Sequence, residues 1–389
     1  MKNDRKKRKN FCTFFHINKV KPFQKAVIDD LNHGHDVIGL TRTGEGKTVS
    51  FLSQSYYHPA GTMLVITPTI SLMRDLVHQC EQYSFKVAAL FSGNQENSTI
   101  LHDLKHGEVQ VLFLAPERLG NQELRTALKC ITVHTVVVDE VHCLTEWGNE
   151  FRPMYRKIGK FISKLHHRPV IAAFSATVPP DDIPLIAESL GMDDYRVHIG
   201  KLKRTNLSIK KRFVKTDAER YREVGKAVHK APDKGRIVIY CTRICDVEDM
   251  RDYLIEECYI RPSDIAICHS KCSNRPAEEE RFRTGEARIM VATSAFGMGV
   301  NIPDIRLVVV SQLPFSIASF YQMAGRSGRD GNKAKVLLLY NDRDFQMNLD
   351  IISEKDERAV RAADEMYALS QSDEDLHKQI LSHLGKGAD

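Results

Sequence analysis

Apolar runs of strand length recur along this chain between segments of helical spacing. The first set comprises Asp36 to Leu40, TMLVIT from Thr62, VQVLFL from Val109, TVVVDE from Thr135 and VIAAFSAT from Val170. These runs are continuous rather than alternating, which predicts strands buried on both faces and hence a parallel sheet. The rhythm restarts with RIVIY from Arg236, IAICH from Ile265, ARIMVAT from Ala287, LVVVS from Leu307 and KVLLLY from Lys335. The pattern therefore predicts an α/β fold of two successive layered lobes, each a mostly parallel sheet flanked by helices. The expected division is a basic tail over residues 1–15, a first lobe over 16–204, a second over 205–345 and a helical tail over 346–389.

Composition narrows the class. A chain of 389 residues with 42% hydrophobic and 27% charged residues fits globular cores rather than disorder. No run approaches the roughly 20 apolar residues of a spanning helix, and MKNDRKKRKN lacks the apolar stretch of a signal peptide. The expected location is nucleus or cytoplasm, with the nine scattered cysteines reduced. A net charge of +6 is modest, so a nucleic-acid footprint would be a local groove. Lys2, Arg5, Lys6, Lys7, Arg8 and Lys9 could be a nuclear address, a DNA-touching arm or a solvated tail. Lys201, Lys203, Arg204, Lys210, Lys211 and Arg212 read either as a grip on a nucleic-acid backbone or as a solvated linker.

Chemistry enters with TRTGEGKT, Thr41 to Thr48, directly after an apolar run. Small residues there let backbone N–H groups curl around a phosphate chain, with Thr43, Gly44, Glu45 and Gly46 in the loop, Lys47 reaching the β/γ-phosphates and Thr48 the magnesium ion. In VVVDEVH, Asp139 and Glu140 end a strand and can divide two tasks, holding magnesium and activating water. Far downstream, QMAGRSGRD sets Arg326 and Arg329 among small residues, as suits guanidinium groups approaching a γ-phosphate across a cleft. Together these stretches predict an ATP site divided between two lobes.

With PTISLMRDLVHQ from Pro68, APERL from Ala115, DEVHCLTEWGNEFRPMY from Asp139, SAT from Ser175 and ATSAFGMGVNIPDIR from Ala292 in this order, the chain resembles superfamily-two helicases and specifically the RecQ family. The resemblance covers roughly residues 20 to 345 and implies two tandem RecA-like lobes of the P-loop NTPase class. It assigns Gln24 to adenine recognition, Arg329 to the arginine finger, Arg326 to a second γ-phosphate or coupling role, Gln322 to coupling at the cleft, and His142, Ser175 and Thr177 to coupling within the first lobe. The aromatic loop with Trp147, Phe151, Arg152 and Tyr155 is implied to sense single-stranded DNA, stacking on any base without reading sequence; a core tryptophan is the alternative. Arg118, Thr293 and Pro68 to Ser71 are candidates for gripping the backbone.

Departures from the family pattern matter as much. Glu45 stands where the family usually has glycine, and a carboxylate facing a polyanion is repulsive, so its side chain is expected to point to water. Lys21 replaces an arginine of the nucleotide-reading segment, losing a planar, bidentate donor. Cys268 and Cys272 flank His269 where the family has His-Ala-Gly, and no second pair at zinc-like spacing accompanies them or Cys241 and Cys245. No cysteine follows Cys272, so a four-thiolate subdomain is not expected and the region after Met366 reads as its degenerate remnant, without a winged helix. ATP and Mg²⁺ are the expected cofactors, without zinc. The expected activity is ATP-dependent 3′ to 5′ unwinding of DNA, with single-stranded and partially duplex DNA as partners and repair, recombination or replication as the setting. The alternatives are a DNA-stimulated ATPase and translocase with little unwinding, and a nucleic-acid-binding scaffold.

Overall fold

The computed structural model describes residues 10–42, 44–145, 154–294, 296–297, 302–352 and 356–385. The chain forms two compact units that divide between Leu202 and Lys203.

The first unit is built on seven strands: β1 (Asp36–Leu40), β2 (Thr62–Ile66), β3 (Val87–Leu90), β4 (Val111–Leu114), β5 (Val133–Val138), β6 (Val170–Ser175) and β7 (Tyr195–Ile199). They lie in the order β3-β4-β2-β5-β6-β1-β7, and every neighbouring pair is parallel. The continuous apolar runs occupy the middle of this sheet, where β1 and β2 are buried at every residue. Parallel strands need helical crossovers that cover both faces, which is why Phe11, Val27, Leu31, Phe51, Leu52 and Phe113 join one core with the strand residues.

The second unit carries β8 (Leu207–Phe213), β9 (Arg236–Tyr240), β10 (Ile265–Cys268), β11 (Ile289–Ala292), β12 (Ile305–Val310) and β13 (Ala334–Tyr340). Its order is β10-β11-β9-β12-β13-β8, again with every pair parallel. Helices Asp342–Ile351, Glu357–Gln371 and Leu376–His383 complete this unit.

The linker expectation does not hold for Arg204, Lys211 and Arg212, which are tied into the second unit. Lys210, Lys211 and Arg212 sit in edge strand β8. The Lys211 ammonium donates to the carbonyls of Leu369 and Ser372, satisfying acceptors at the end of helix Glu357–Gln371. Arg212 pairs with the buried Glu223. Arg204, 6% exposed, donates to the carbonyls of Gly325 at 3.2 Å, Ser327 at 2.8 Å and Gly328 at 2.6 Å. These cations satisfy buried or terminal acceptors of their own unit.

Candidate nucleotide site

Parallel order brings the C-terminal ends of β5, β6 and β1 side by side, and a ligand crevice belongs at that end of an open α/β sheet. From β1 the chain passes Thr41, whose N–H donates to Ser175 O at the end of β6 (2.9 Å). It then turns through Gly44 and Gly46, both at φ +87°, into helix Lys47–Tyr57. Only glycine adopts that conformation without strain. A Cβ on Gly46 would stand 2.1 Å from Gln24 Nε2, so the loop needs glycine here for space as well. Thr43 lies outside the described residues.

Lys47 opens the helix and points its ammonium at Asp139, with Nζ 3.8 Å from Oδ1. Asp139 is 6% exposed, and its Oδ1 accepts no hydrogen bond among the described residues. Burial raises its carboxyl above the ordinary range; the Lys47 charge draws it back and the Glu140 charge adds to the rise. A buried carboxylate oxygen left for a cation, beside the half-buried Thr48 at the start of the helix, suits a hard, oxygen-seeking ion such as Mg²⁺. Glu140 takes φ +50°, a left-handed conformation uncommon outside glycine. Its carboxylate lies 3.2 Å from His142 Nδ1, and the same ring nitrogen is 2.8 Å from Ser175 Oγ. Ser175 Oγ also accepts from Thr177 N at 3.2 Å. Lys47, Asp139, Glu140, His142, Ser175 and Thr177 are thus gathered at one end of one sheet.

Gln24 is buried behind the loop, accepting from Lys21 N at 2.8 Å and donating to Gly46 O at 3.3 Å. The expectation that Glu45 points to water is overturned. Its side chain is 13% exposed and pairs with Lys21 Nζ at 3.0 Å and Arg42 Nη2 at 2.7 Å. Burial opposes its ionisation, but the hydrogen bonds from Arg42 and Lys21 outweigh that and leave the carboxyl below its ordinary value. Arg42 was missed in the sequence because its partner stands three residues later in a loop, where no helical spacing marks the pair.

Tyr155 also departs from expectation. It is fully buried and its hydroxyl donates to Asp139 O at 3.0 Å, so it braces the acidic strand end instead of joining an exposed aromatic surface. Trp147, Phe151 and Arg152 lie outside the described residues. Arg118 sits half-buried in the turn Pro116–Gly120. Thr69 of the Pro68 to Ser71 segment caps helix Ile70–Glu81 through Leu72 N.

In the second unit, helix Ile317–Ala324 carries Gln322 and leads into the half-buried Arg326 and Arg329. The following turn is fixed from several sides: Gly328 N donates to Ile305 O at 2.9 Å, and Asp330 pairs with Arg306. Gly297 lies so near that a Cβ would be 3.0 Å from Arg326 Nε. Thr293, half-buried just after β11, donates to Cys268 O through its N–H. Burial pushes the Cys241 and Cys268 thiols up to about 12, which keeps them protonated. Among the described residues no group of three or more His, Cys, Asp or Glu is placed to hold a metal ion, and no helix is long and apolar enough to cross a membrane.

Residues 21–185 match the model of DEAD/DEAH box helicases, and residues 219–331 that of the helicase conserved C-terminal domain. The two domains in this order define a superfamily-two helicase core. The "ATP-dependent DNA helicase RecQ" of Bacillus subtilis is 32% identical over 353 residues, 88% of this chain and 58% of that protein. The "Probable ATP-dependent DNA helicase RecS" of the same organism is 29% identical, with 96% of this chain and 75% of that protein covered. Over most of its length the chain is thus similar to RecQ-family helicases and carries a helicase core of that type. It spans 52–58% of the length of the RecQ relatives from Bacillus subtilis, Pasteurella multocida and Haemophilus influenzae. Among solved structures, the DUF1998 helicase MrfA bound to DNA matches with a TM-score of 0.69 at 17% identity, covering 97% of this chain and 56% of that one. Saccharomyces cerevisiae Dbp5 bound to RNA matches with a TM-score of 0.66 at 15% identity, covering 96% of each chain. These likenesses establish the tandem RecA-like fold.

Proposed function

We propose that this chain is the motor of an ATP-dependent DNA helicase that translocates 3′ to 5′ on single-stranded DNA and separates partially duplex DNA. The observation that carries the reading is the convergence of Lys47, Asp139, Glu140 and Ser175 at neighbouring strand ends, in a chain about 30% identical to DNA helicases over most of its length. DNA as substrate and the direction of movement rest on the RecQ relationship.

In this reading the backbone around Gly44 and Gly46 cradles the phosphates and Lys47 neutralises their charge. Magnesium, for which Thr48 and Asp139 are the residues present, would offset charge on the phosphate oxygens. Glu140 takes the proton of the attacking water, with His142 and Ser175 fixing where its carboxylate stands. Gln24 recognises adenine. Arg329 is the candidate for stabilising the γ-phosphate in the transition state, with Arg326 and Gln322 coupling nucleotide state to movement. Phe151, Arg152 and Trp147, with Arg118 and Thr293, are the proposed DNA contacts. Action in DNA repair, recombination or replication, in the nucleus or cytoplasm, is part of the same proposal.

The test is steady-state ATP hydrolysis with and without single-stranded DNA, beside strand separation of a duplex with a 3′ overhang. Stimulated hydrolysis with unwinding supports the helicase. Stimulation without unwinding replaces it with a translocase, and folded, ATP-binding protein without stimulated hydrolysis replaces it with a scaffold.

A further inference from the structure

The two departures of this chain from its family's nucleotide motifs, Lys21 and Glu45, touch each other. Each oxygen of the Glu45 carboxylate is taken by a different cation. Oε2 accepts from Lys21 Nζ at 3.0 Å, and Oε1 accepts from Arg42 Nε at 3.0 Å and Nη2 at 2.7 Å. Arg42 belongs to the phosphate loop itself, and the Glu45 N–H donates back to its carbonyl at 3.3 Å. Lys21, 24 residues earlier, begins helix Pro22–Asn32. Its ammonium also reaches Gly44 O at 3.2 Å, and Gln24 Nε2 reaches Gly46 O at 3.3 Å. The segment from Lys21 to Gln24 therefore meets Gly44, Glu45 and Gly46 in turn.

We propose that Glu45 is a positioning residue, an internal counter-ion that ties the Lys21–Gln24 segment and Arg42 to the phosphate loop and so holds the base-reading side chain in place for a nucleoside triphosphate. This rests on the nucleotide-site reading above. A glycine at this position has no means of making the tie. A glutamate with no cation beside it would set a negative charge in a loop built to hold phosphates, so the two side chains work as one unit. Lys21 and Arg42 contribute two positive charges and Glu45 removes one, so this trio itself keeps one net positive charge.

A double-mutant cycle on ATP affinity tests this, with Lys21→Met, Glu45→Gln and the double variant titrated calorimetrically against ATP. The expected result is that Lys21→Met weakens ATP binding at least tenfold when Glu45 is present, and less than threefold in the Glu45→Gln background. Lys21→Arg, which keeps the charge, should restore most of the affinity lost in Lys21→Met; packing alone predicts no such rescue. Should Lys21→Met fail to fold, Arg42→Gln, acting on the other oxygen of the same carboxylate, runs the same cycle. Equal losses in both backgrounds would overturn the tie while leaving the nucleotide site standing. Wild-type protein that binds no ATP would instead sink the nucleotide reading, and the tie with it.

Discussion

The imidazole of His142 and the hydroxyl of Ser175, 33 residues apart, meet at 2.8 Å, so one ring joins the carboxylate of Glu140 to the end of the neighbouring strand β6. Ser175→Ala removes that link and leaves the ring with Glu140. At about 1 kcal/mol for the hydrogen bond, turnover should fall about fivefold with little change in ATP affinity. Hydrolysis rates across a range of ATP concentrations separate the two parameters; an unchanged kcat would reduce the contact to packing.

Glu140→Gln tests the same cluster from its reactive end. Removing a general base is worth roughly 10² to 10⁴ in rate. Single-turnover hydrolysis should drop by that order while ATP titration shows binding retained. A fall of less than tenfold would move the role of base to another group.

The two glycines of the phosphate loop share φ +87° but not their surroundings. A Cβ on Gly44 meets nothing within 4 Å, whereas one on Gly46 collides with the Gln24 amide. Gly44→Ala should therefore bear only the backbone strain, about 1–2 kcal/mol. Gly46→Ala should bear that strain and displace Gln24 as well, with ATP affinity at least tenfold below that of Gly44→Ala. Equal affinities would show that Gln24 yields without consequence.

Acid stability should carry the mark of His134. Burial, with His58 nearby, lowers its imidazole from 6.5 to about 4. Among the described residues its Nε2 has no hydrogen-bond partner. Between these values the unfolded chain takes up a proton that the folded chain refuses, so stability rises with pH through this window. It is fully present above pH 6.5 and lost progressively as pH falls toward 4, by about 3 kcal/mol. Urea unfolding from pH 7 to 4 should show a flatter pH dependence for His134→Leu than for the wild type.

Central strands were legible in the sequence because burial on both faces leaves an unbroken apolar run, as in VVV of β5. The strands that passed unread, β3, β7 and β8, all lie at sheet edges. There one neighbour is absent: exposed positions interrupt β7 and β8, as Lys210 and Arg212 illustrate, and β3 is a run of only four residues. That Lys47, Asp139 and Glu140 come together was legible because the proposed phosphate chemistry demands fixed residue types at fixed spacing. The surroundings of Glu45 were not, since its partner Lys21 is distant in the chain and only folding reveals the pairing. Tyr155 misled for a related reason: an aromatic ring beside polar residues looks exposed until its hydroxyl is seen to be satisfied inside.

Arg204 sets where this molecule can be cut. Its guanidinium stands at the entrance of the second unit and closes on the carbonyls that flank Arg326, more than a hundred residues downstream. A fragment begun at Leu207 would retain all six strands of its sheet, yet the turn bearing the arginines would lose its clasp and expose three carbonyl oxygens. Severing the units is thus not a neutral operation, because the first few residues of the second are stitched to the loop that carries Arg326 and Arg329.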